Sequence, residues 1–335
     1  MEREPYISIL TPSFNRAKFL PILLKSLNEQ TFKNFEWVIG NDGSSDGTEE
    51  YLLDQFPKQD FSITYISSDL RIGKSSIDNQ LLDHAKGKYI MWCDSDDFLL
   101  KNSLEEIVIM IQQSKVDSSD SIAGVIGQNL CTQGFSQSFD TNKSLPDAGI
   151  YSWQDVETLL KGDATICVKR NIYIDRRFPE IDFLTIESIM LRDLYQPFKF
   201  YLSDTVVKIM DRGAENSVSH GNTLQYCRGS AYSISATISL KRFNEMTVKM
   251  KILTVINYFR YSIHGDIRFI DSVKMWQLLQ KHYIDLFLKQ ICFSSLVLLD
   301  NLLNIQVLKY LRVFYLTMAA NRSVNNAEDI KIVCH

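Results

Sequence analysis

The stretch "YIMWCDSDDFLL", Tyr89 to Leu100, runs a short apolar strand pattern into three carboxylates within four positions, Asp94, Asp96 and Asp97. Apolar β-rich runs belong in a core, where unpaired charge is costly. Acids at the end of such a run mark the point where the chain leaves the core and meets solvent or a ligand. In an extended segment residues two apart face the same way, so Asp94 and Asp96 are expected to face one ligand while Ser95 faces away. Two carboxylates suit a hard divalent cation, Mn2+ or Mg2+, and leave coordination positions for substrate phosphates. A solvated turn, with Asp97 or Asn102 helping to start the next helix, would give the same triplet. Whether other polar strand ends gather beside it separates the two readings.

They do gather. "YISILTPS" (6–13), "FEWVIGND" (35–42), "SITYISS" (62–68) and "YIMWCDSD" (89–96) are β-rich runs, each ending in polar or turn residues. Helical patterns lie between them. Phe19, Leu20, Leu23, Leu24 and Leu27 repeat at helical spacing, Asp46 with Glu49 suggests an N-cap, and a third helix is expected at about 75–86. Ser103 and Glu106 form a capping-box pattern ahead of "SLEEIVIMIQQS". Such alternation predicts βαβ crossovers and a mainly parallel sheet, with ligands at the carboxyl ends of its strands. Those ends are Thr11 to Ser13, Asn41 and Asp42, Ser67 to Asp69, and Asp94 to Asp97. The first strand is followed by "TPSFNR" and not by GxGxxG, and a P-loop lysine signature is missing, which disfavours the two commonest nucleotide folds.

Composition narrows the classes further. The 335 residues are 45% hydrophobic and 23% charged, as expected of a globular chain with a sizeable core. Residues 1–240 carry a net charge of −10 and residues 241–335 a net charge of +6. An acidic body argues against nucleic acid as a partner. The six cysteines are scattered without a CxxC pair, so neither a zinc site nor a disulfide framework is expected. No stretch near Met1 reads as a signal peptide, so the expected location is cytoplasmic, at the inner face of the membrane if the basic tail binds lipid. Residues 225–325 interleave Phe, Tyr and Leu with Lys and Arg, and the longest apolar or small run, Ile291 to Leu299, is far short of the ~20 residues that span a bilayer. This tail reads as helices that pack on the body, form a homodimer contact or associate peripherally with a membrane surface.

"ISILTPSFNRAKFLPILLKSLNEQTFKNFEWVIGNDGSSDGT", followed by "YIMWCDSDDFLL", resembles the nucleotide-sugar domain of family 2 inverting glycosyltransferases, which have the GT-A fold. The resemblance covers residues 6–110 closely and 150–220 loosely. It implies an α/β, GT-A-like Rossmann-type domain with a mainly parallel central sheet over residues 1–222, and a helical C-terminal region over residues 223–335. It further implies a UDP-sugar donor, an acceptor that is a glycan or a lipid-linked oligosaccharide in surface polysaccharide synthesis, and Mn2+ or Mg2+. Thr11, Ser13 and Arg16 would line the nucleotide pocket, Asp42 would meet uracil or ribose, and Asp94 with Asp96 would meet ribose and metal. Gly73, Lys74 and Asn79 stand in places comparable to the family's donor-side turn and helix start, with Lys74 directed at the diphosphate. Arg71 stands where an asparagine is common, and Asp78 replaces an arginine.

For the acceptor side, "RRFPEIDFLTIESIMLRDL" resembles the region that supplies the base. Glu187 aligns with the first acid of the family's pair and Ser188 occupies the second; Asp182 and Glu180 are further candidates. "VVKIMDRGAENSVSHGN" resembles the loop that closes over the donor, with Arg212 near the diphosphate and His220 as a metal ligand. A sugar nucleotidyltransferase of related fold and a catalytically silent sugar-binding module are the alternative functions. The missing triphosphate loop weighs against the first, and Ser188 favours the second.

Overall fold

The computed structural model describes residues 4–132, 138–139, 147–174, 176–178, 191, 194–211, 224, 227–232, 234 and 248–268. The chain divides into two compact units, Met1–Asn222 and Thr223–His335. In the first, β1 (Ile7–Ser13), α1 (Leu20–Asn28), β2 (Phe35–Asp42), α2 (Thr48–Gln55), β3 (Ser62–Ser68), α3 (Lys74–His84) and β4 (Tyr89–Trp92) alternate. After them come β5 (Asp97–Leu99), α4 (Ser103–Ser114), β6 (Ile122–Cys131), β7 (Gly149–Ser152), α5 (Trp153–Leu159), β8 (Thr165–Lys169) and β9 (Lys199–Met210).

The strands form one sheet in the order β3-β2-β1-β4-β8-β6-β9-β5, with β7 paired to β9. The pairs β1–β2, β2–β3, β1–β4 and β6–β9 are parallel. The pairs β4–β8, β6–β8, β5–β9 and β7–β9 are antiparallel. The parallel half therefore contains the first four strand ends, and the mixed half extends the sheet beyond β4. From β1 the chain moves to β2 and β3, then returns to lay β4 on the other side of β1. This reversal of strand order creates a switch point between β1 and β4, the place where open α/β sheets bind ligands.

Burial explains the near-continuous apolar runs. All eight residues of β2 are buried, because helices cover both faces of the sheet. Ile7, Ile9, Trp37 and Ile39 pack with Leu20, Leu23, Leu24 and Leu27 of α1 in one core, whereas Leu10 and Val38 pack with Ile77 and Leu81 of α3 in the other. β3 lies at the edge and is only partly buried.

One buried acid fixes where β4 enters. Glu36, 1% exposed, accepts hydrogen bonds from Ser8 Oγ at 2.6 Å and from the backbone N–H groups of Lys86 and Gly87 at 2.6 and 3.1 Å. It thereby ties β2 to β1 and to the turn that leads into β4.

Three local expectations change. Asp46 lies one residue ahead of the α2 N-cap, which is Gly47 at φ 86°; Asp46 accepts from the N–H and hydroxyl of Thr48, and Glu49 accepts from Tyr65 and Ser67 on β3. Ser103 does not close a capping box, because its hydroxyl donates to the carbonyl of Val207; Asn102 is the N-cap and its amide donates to Glu106. The fourth strand ends at Trp92 rather than running to Asp96.

In the second unit, α6 (Val248–His264) buries Tyr258 and Phe259 with ring centroids 5.1 Å apart. Arg228 Nε donates to the carbonyl of Gly265 just beyond this helix at 2.7 Å. No helix among the described residues is long and apolar enough to cross a membrane.

Glu36→Ala should lower the unfolding free energy by about 2 kcal/mol or more, since two backbone N–H groups, that of Gly87 buried, and the buried Ser8 hydroxyl lose their common acceptor. Urea titration checks this, and an unchanged midpoint would remove Glu36 as the tie.

Candidate active site at the strand ends

A relay of hydrogen bonds holds the switch point. Trp37 Nε1 on β2 donates to Thr11 Oγ1 at 3.0 Å, and Thr11 Oγ1 donates to the carbonyl of Cys93 at 2.8 Å. Thr11 is fully buried, and its hydroxyl joins β2, β1 and the end of β4. Ser13, two residues on, is also buried, but its Oγ has no hydrogen-bond partner among the described residues. A buried hydroxyl in that state at a strand end is a natural contact for a bound polar molecule.

The loops after β1 and β2 brace each other. Asn15 adopts φ 53°; its N–H donates to Ser44 Oγ and its Oδ1 accepts from the N–H of Ser45, both at 2.9 Å. Ser44 N–H donates to Asn41, Ala17 N–H to Asp46, and Arg16 N–H to Thr48 Oγ1. The motifs "PSFNRA" and "NDGSSDGT" therefore occur together because each supplies the other's partners. Arg16 is 8% exposed, and its guanidinium donates to the carbonyls of Phe14 and Asn15.

Asp42 is equally engaged. Its Oδ1 accepts from the N–H of Ile72 at 2.6 Å, and both of its oxygens lie 3.1 Å from the N–H of Gly73. Arg71 Nε lies 3.9 Å from Oδ2, and the Arg71 guanidinium stacks 4.3 Å above the ring of Phe14. The anion held just ahead of α3 is therefore Asp42 itself, in the position where a helix start favours negative charge. Two carboxylate oxygens have about four acceptor sites, so the loop contacts leave Oδ2 capacity for one further donor. Gly43 permits the crossing: at φ 67°, a Cβ there would lie 2.7 Å from the backbone of Leu70 and Arg71.

The acidic cluster is a turn, not an extended segment, since the N–H of Asp97 donates to the carbonyl of Asp94 at 3.1 Å. Within it Asp94 is exposed, Asp96 half-buried and Ser95 buried. Burial first, and then the charge of Asp94, push the Asp96 carboxyl above the usual range, with Arg16 and Lys208 pulling it back. Asp97 turns inward, where its Oδ2 lies 2.6 Å from Lys208 Nζ of β9. Burial raises the Asp97 carboxyl while Lys208 opposes the rise. For Lys208, burial works against the charge, but Asp97 and Asp94 outweigh it and hold the ammonium cationic.

Lys74 and Asn79 have partners of their own. Lys74 Nζ lies 2.9 Å from Asp78 Oδ2 and 5.7 Å from the centre of the Trp92 ring. Asn79 is 3% exposed; its Oδ1 accepts from the N–H of Phe178 at 2.8 Å and its Nδ2 donates to the same residue's carbonyl at 3.0 Å. The Phe178 ring meets Trp92 edge-on, and Arg177 pairs with Asp83. α3 thus clamps residues 177 and 178, directly upstream of the segment holding the candidate bases. Glu187, Ser188, Asp182, Glu180, Arg212 and His220 lie outside the described residues.

The structure brings Ser13, Arg16, Asp42, Asp94 and Asp96 to one edge of a parallel half-sheet. The arrangement defines an α/β domain with polar and acidic strand ends at its switch point. Residues 8–145 match the model of the family described as glycosyl transferase family 2. It is similar to the GalNAc(5)-diNAcBac-PP-undecaprenol beta-1,3-glucosyltransferase of Campylobacter jejuni, 26% identical over 59% of this chain and 62% of that protein. It is also similar to the UDP-Glc:alpha-D-GlcNAc-diphosphoundecaprenol beta-1,3-glucosyltransferase WfgD of Escherichia coli, 28% identical over 43% of this chain and 56% of that protein. The chain thus matches less than two thirds of these relatives' length. Among solved structures, S. aureus TarS 1–349 in complex with UDP-GlcNAc shares the fold, with a TM-score of 0.54 at 16% identity over 77% of this chain and 72% of that one.

Sequence reasoning missed Lys208 and the Phe14–Arg71 stack. The alternating pattern around Lys208 marks a strand but carries no sign of its partner. Asp42→Ala should speed amide exchange at Ile72 and Gly73 by about tenfold or more, the loss of one charged acceptor. Unchanged exchange at both amides would show that the 70–73 loop is held by something else.

Proposed function

We infer that the chain is an inverting glycosyltransferase that transfers a sugar from a UDP-sugar to a glycan acceptor, with Mn2+ or Mg2+ as cofactor. The observation that carries this reading is the acidic turn: Asp94 and Asp96 stand at the end of β4, beside the end of β1, at the switch point of a family 2 domain.

The residues fit a cation shared with a substrate. Among the described residues no set of three His, Cys, Asp or Glu side chains is arranged to hold a metal alone. Asp94 and Asp96 offer two carboxylates whose mutual repulsion calls for positive charge, and Asp97 is already paired. A divalent cation there would neutralise charge developing on the departing diphosphate. Ser13 offers an unpartnered hydroxyl to the nucleotide, Asp42 its remaining acceptor capacity to ribose or base, and Arg16 a positive field beside Asp96. Lys74, paired with Asp78 and lying beside Trp92, would turn to the diphosphate on donor binding.

Glu187 is the proposed base, taking the acceptor hydroxyl's proton as that oxygen attacks the anomeric carbon and UDP departs. Displacement in a single step inverts the configuration. Ser188 in place of a second acid leaves Glu187 as the first choice. His220 and Arg212 are proposed to close over the donor. The relatives' names support a lipid-linked acceptor, and the +6 charge of residues 241–335 supports a peripheral position at the membrane's inner face. A homodimer through the helical region is the other use proposed for that tail.

UDP release from a panel of UDP-sugars, with Mn2+ and a lipid-linked glycan acceptor, tests the reading. Turnover should fall about a hundredfold or more in Asp96→Ala and in excess EDTA, the scale of a lost charge-stabilising contact. Full activity under both conditions would exclude the metal assignment, and absence of turnover with every donor would exclude the enzyme.

A further inference from the structure

Lys208 occupies the underside of the acidic turn. It lies on β9 opposite Leu99 of β5, two residues beyond Asp97, with its side chain 8% exposed and that of Asp97 4% exposed. An ammonium this buried remains only where a carboxylate faces it, and Asp97 Oδ2 does so at 2.6 Å. The pair has two consequences for the outer face of the turn. The third acid is turned inward and neutralised, so the acids left to face a ligand are Asp94 and Asp96. The ammonium also sits behind these two, because Asp97, which it touches, is tied within the same turn to the carbonyl of Asp94.

We propose that Lys208 is a positioning residue for the donor-bound cation: it keeps Asp97 out of the coordination set and tempers the field of Asp94 and Asp96, so the cation is held firmly only when the donor diphosphate adds its oxygens. This rests on the metal reading above. The physical reason is charge matching. Three free carboxylates would bind a dication without any nucleotide and retain it after UDP leaves, whereas two carboxylates with a cation behind them bind it weakly and release it with the product.

The test is titration of Mn2+ into the full chain, following free Mn2+ by electron paramagnetic resonance, with and without UDP. Without nucleotide, Lys208→Met should bind Mn2+ about tenfold more tightly than wild type, because a positive charge near the site has gone. A structural lesion alone would weaken binding, so the direction of change discriminates. If Lys208→Met does not fold, Asp97→Asn and the double variant Asp97→Asn/Lys208→Met give the same comparison. Asp97→Asn, with its unopposed ammonium, should bind Mn2+ about tenfold more weakly than the double variant. Equal affinities within the pair that is measured would overturn the role of Lys208. With UDP present, Asp96→Ala should lose Mn2+ binding; if it binds as wild type does, the metal reading fails and this inference with it. Loss in Asp96→Ala with unchanged affinity in the Lys208 variants rejects Lys208 alone.

Discussion

The hydroxyl of Thr11 holds the structure at its most consequential point. It accepts from the Trp37 indole on β2 and donates to the carbonyl of Cys93, the last residue before the acidic turn. β1 lies between β2 and β4, and these bonds fix how far each neighbour projects beyond it. Without them the strands would still pair, but the relative heights of Asp42, Ser13 and Asp94 would not be set. The mutual bracing of the 14–17 and 41–48 loops extends that constraint from the strand ends to the residues just beyond them.

Placing three acids next to a fully buried thiol is electrostatically costly, and the structure offsets the cost unevenly. Asp97 is given a buried ammonium, while Asp96 receives the more distant influence of Arg16 and Lys208. Asp42 at the end of β2 is satisfied by backbone N–H groups. Among the described residues Asp94 and Asp96 form no ion pair, which leaves negative charge at the end of β4 where a cation and a diphosphate are proposed to bind. The clamp of Asn79 on Phe178 joins the helix beneath this place to the chain leading toward Glu187.

The parallel half of the fold is legible because both faces of β1, β2 and β4 are covered, which makes these strands near-continuous apolar runs with polar ends. The acidic turn was legible for the same reason, although the chain turns after Trp92 and does not stay extended. What local pattern hides is the identity of partners. A hydroxyl or carboxylate gives no sign in local pattern of which further partners will use it: Thr11 also bonds an indole and a strand carbonyl, and Asp42 also accepts from the N–H groups of Ile72 and Gly73. Ser103 looked like a cap and bonds instead to Val207, because β9 passes above the start of α4. Lys208 was invisible for the same reason. Its partner lies far away in the chain, and only the antiparallel pairing of β5 with β9 brings them together.

The central claim is that a nucleoside diphosphate and one divalent cation meet at the ends of β1, β2 and β4. Crystals grown with UDP and Mn2+, with anomalous data collected at the manganese edge, test it most directly. One manganese peak is expected beside the Asp96 carboxylate, next to the diphosphate of a UDP lying against Ser13 and Asp42. UDP bound elsewhere, or at these strand ends with no manganese beside Asp96, would contradict it.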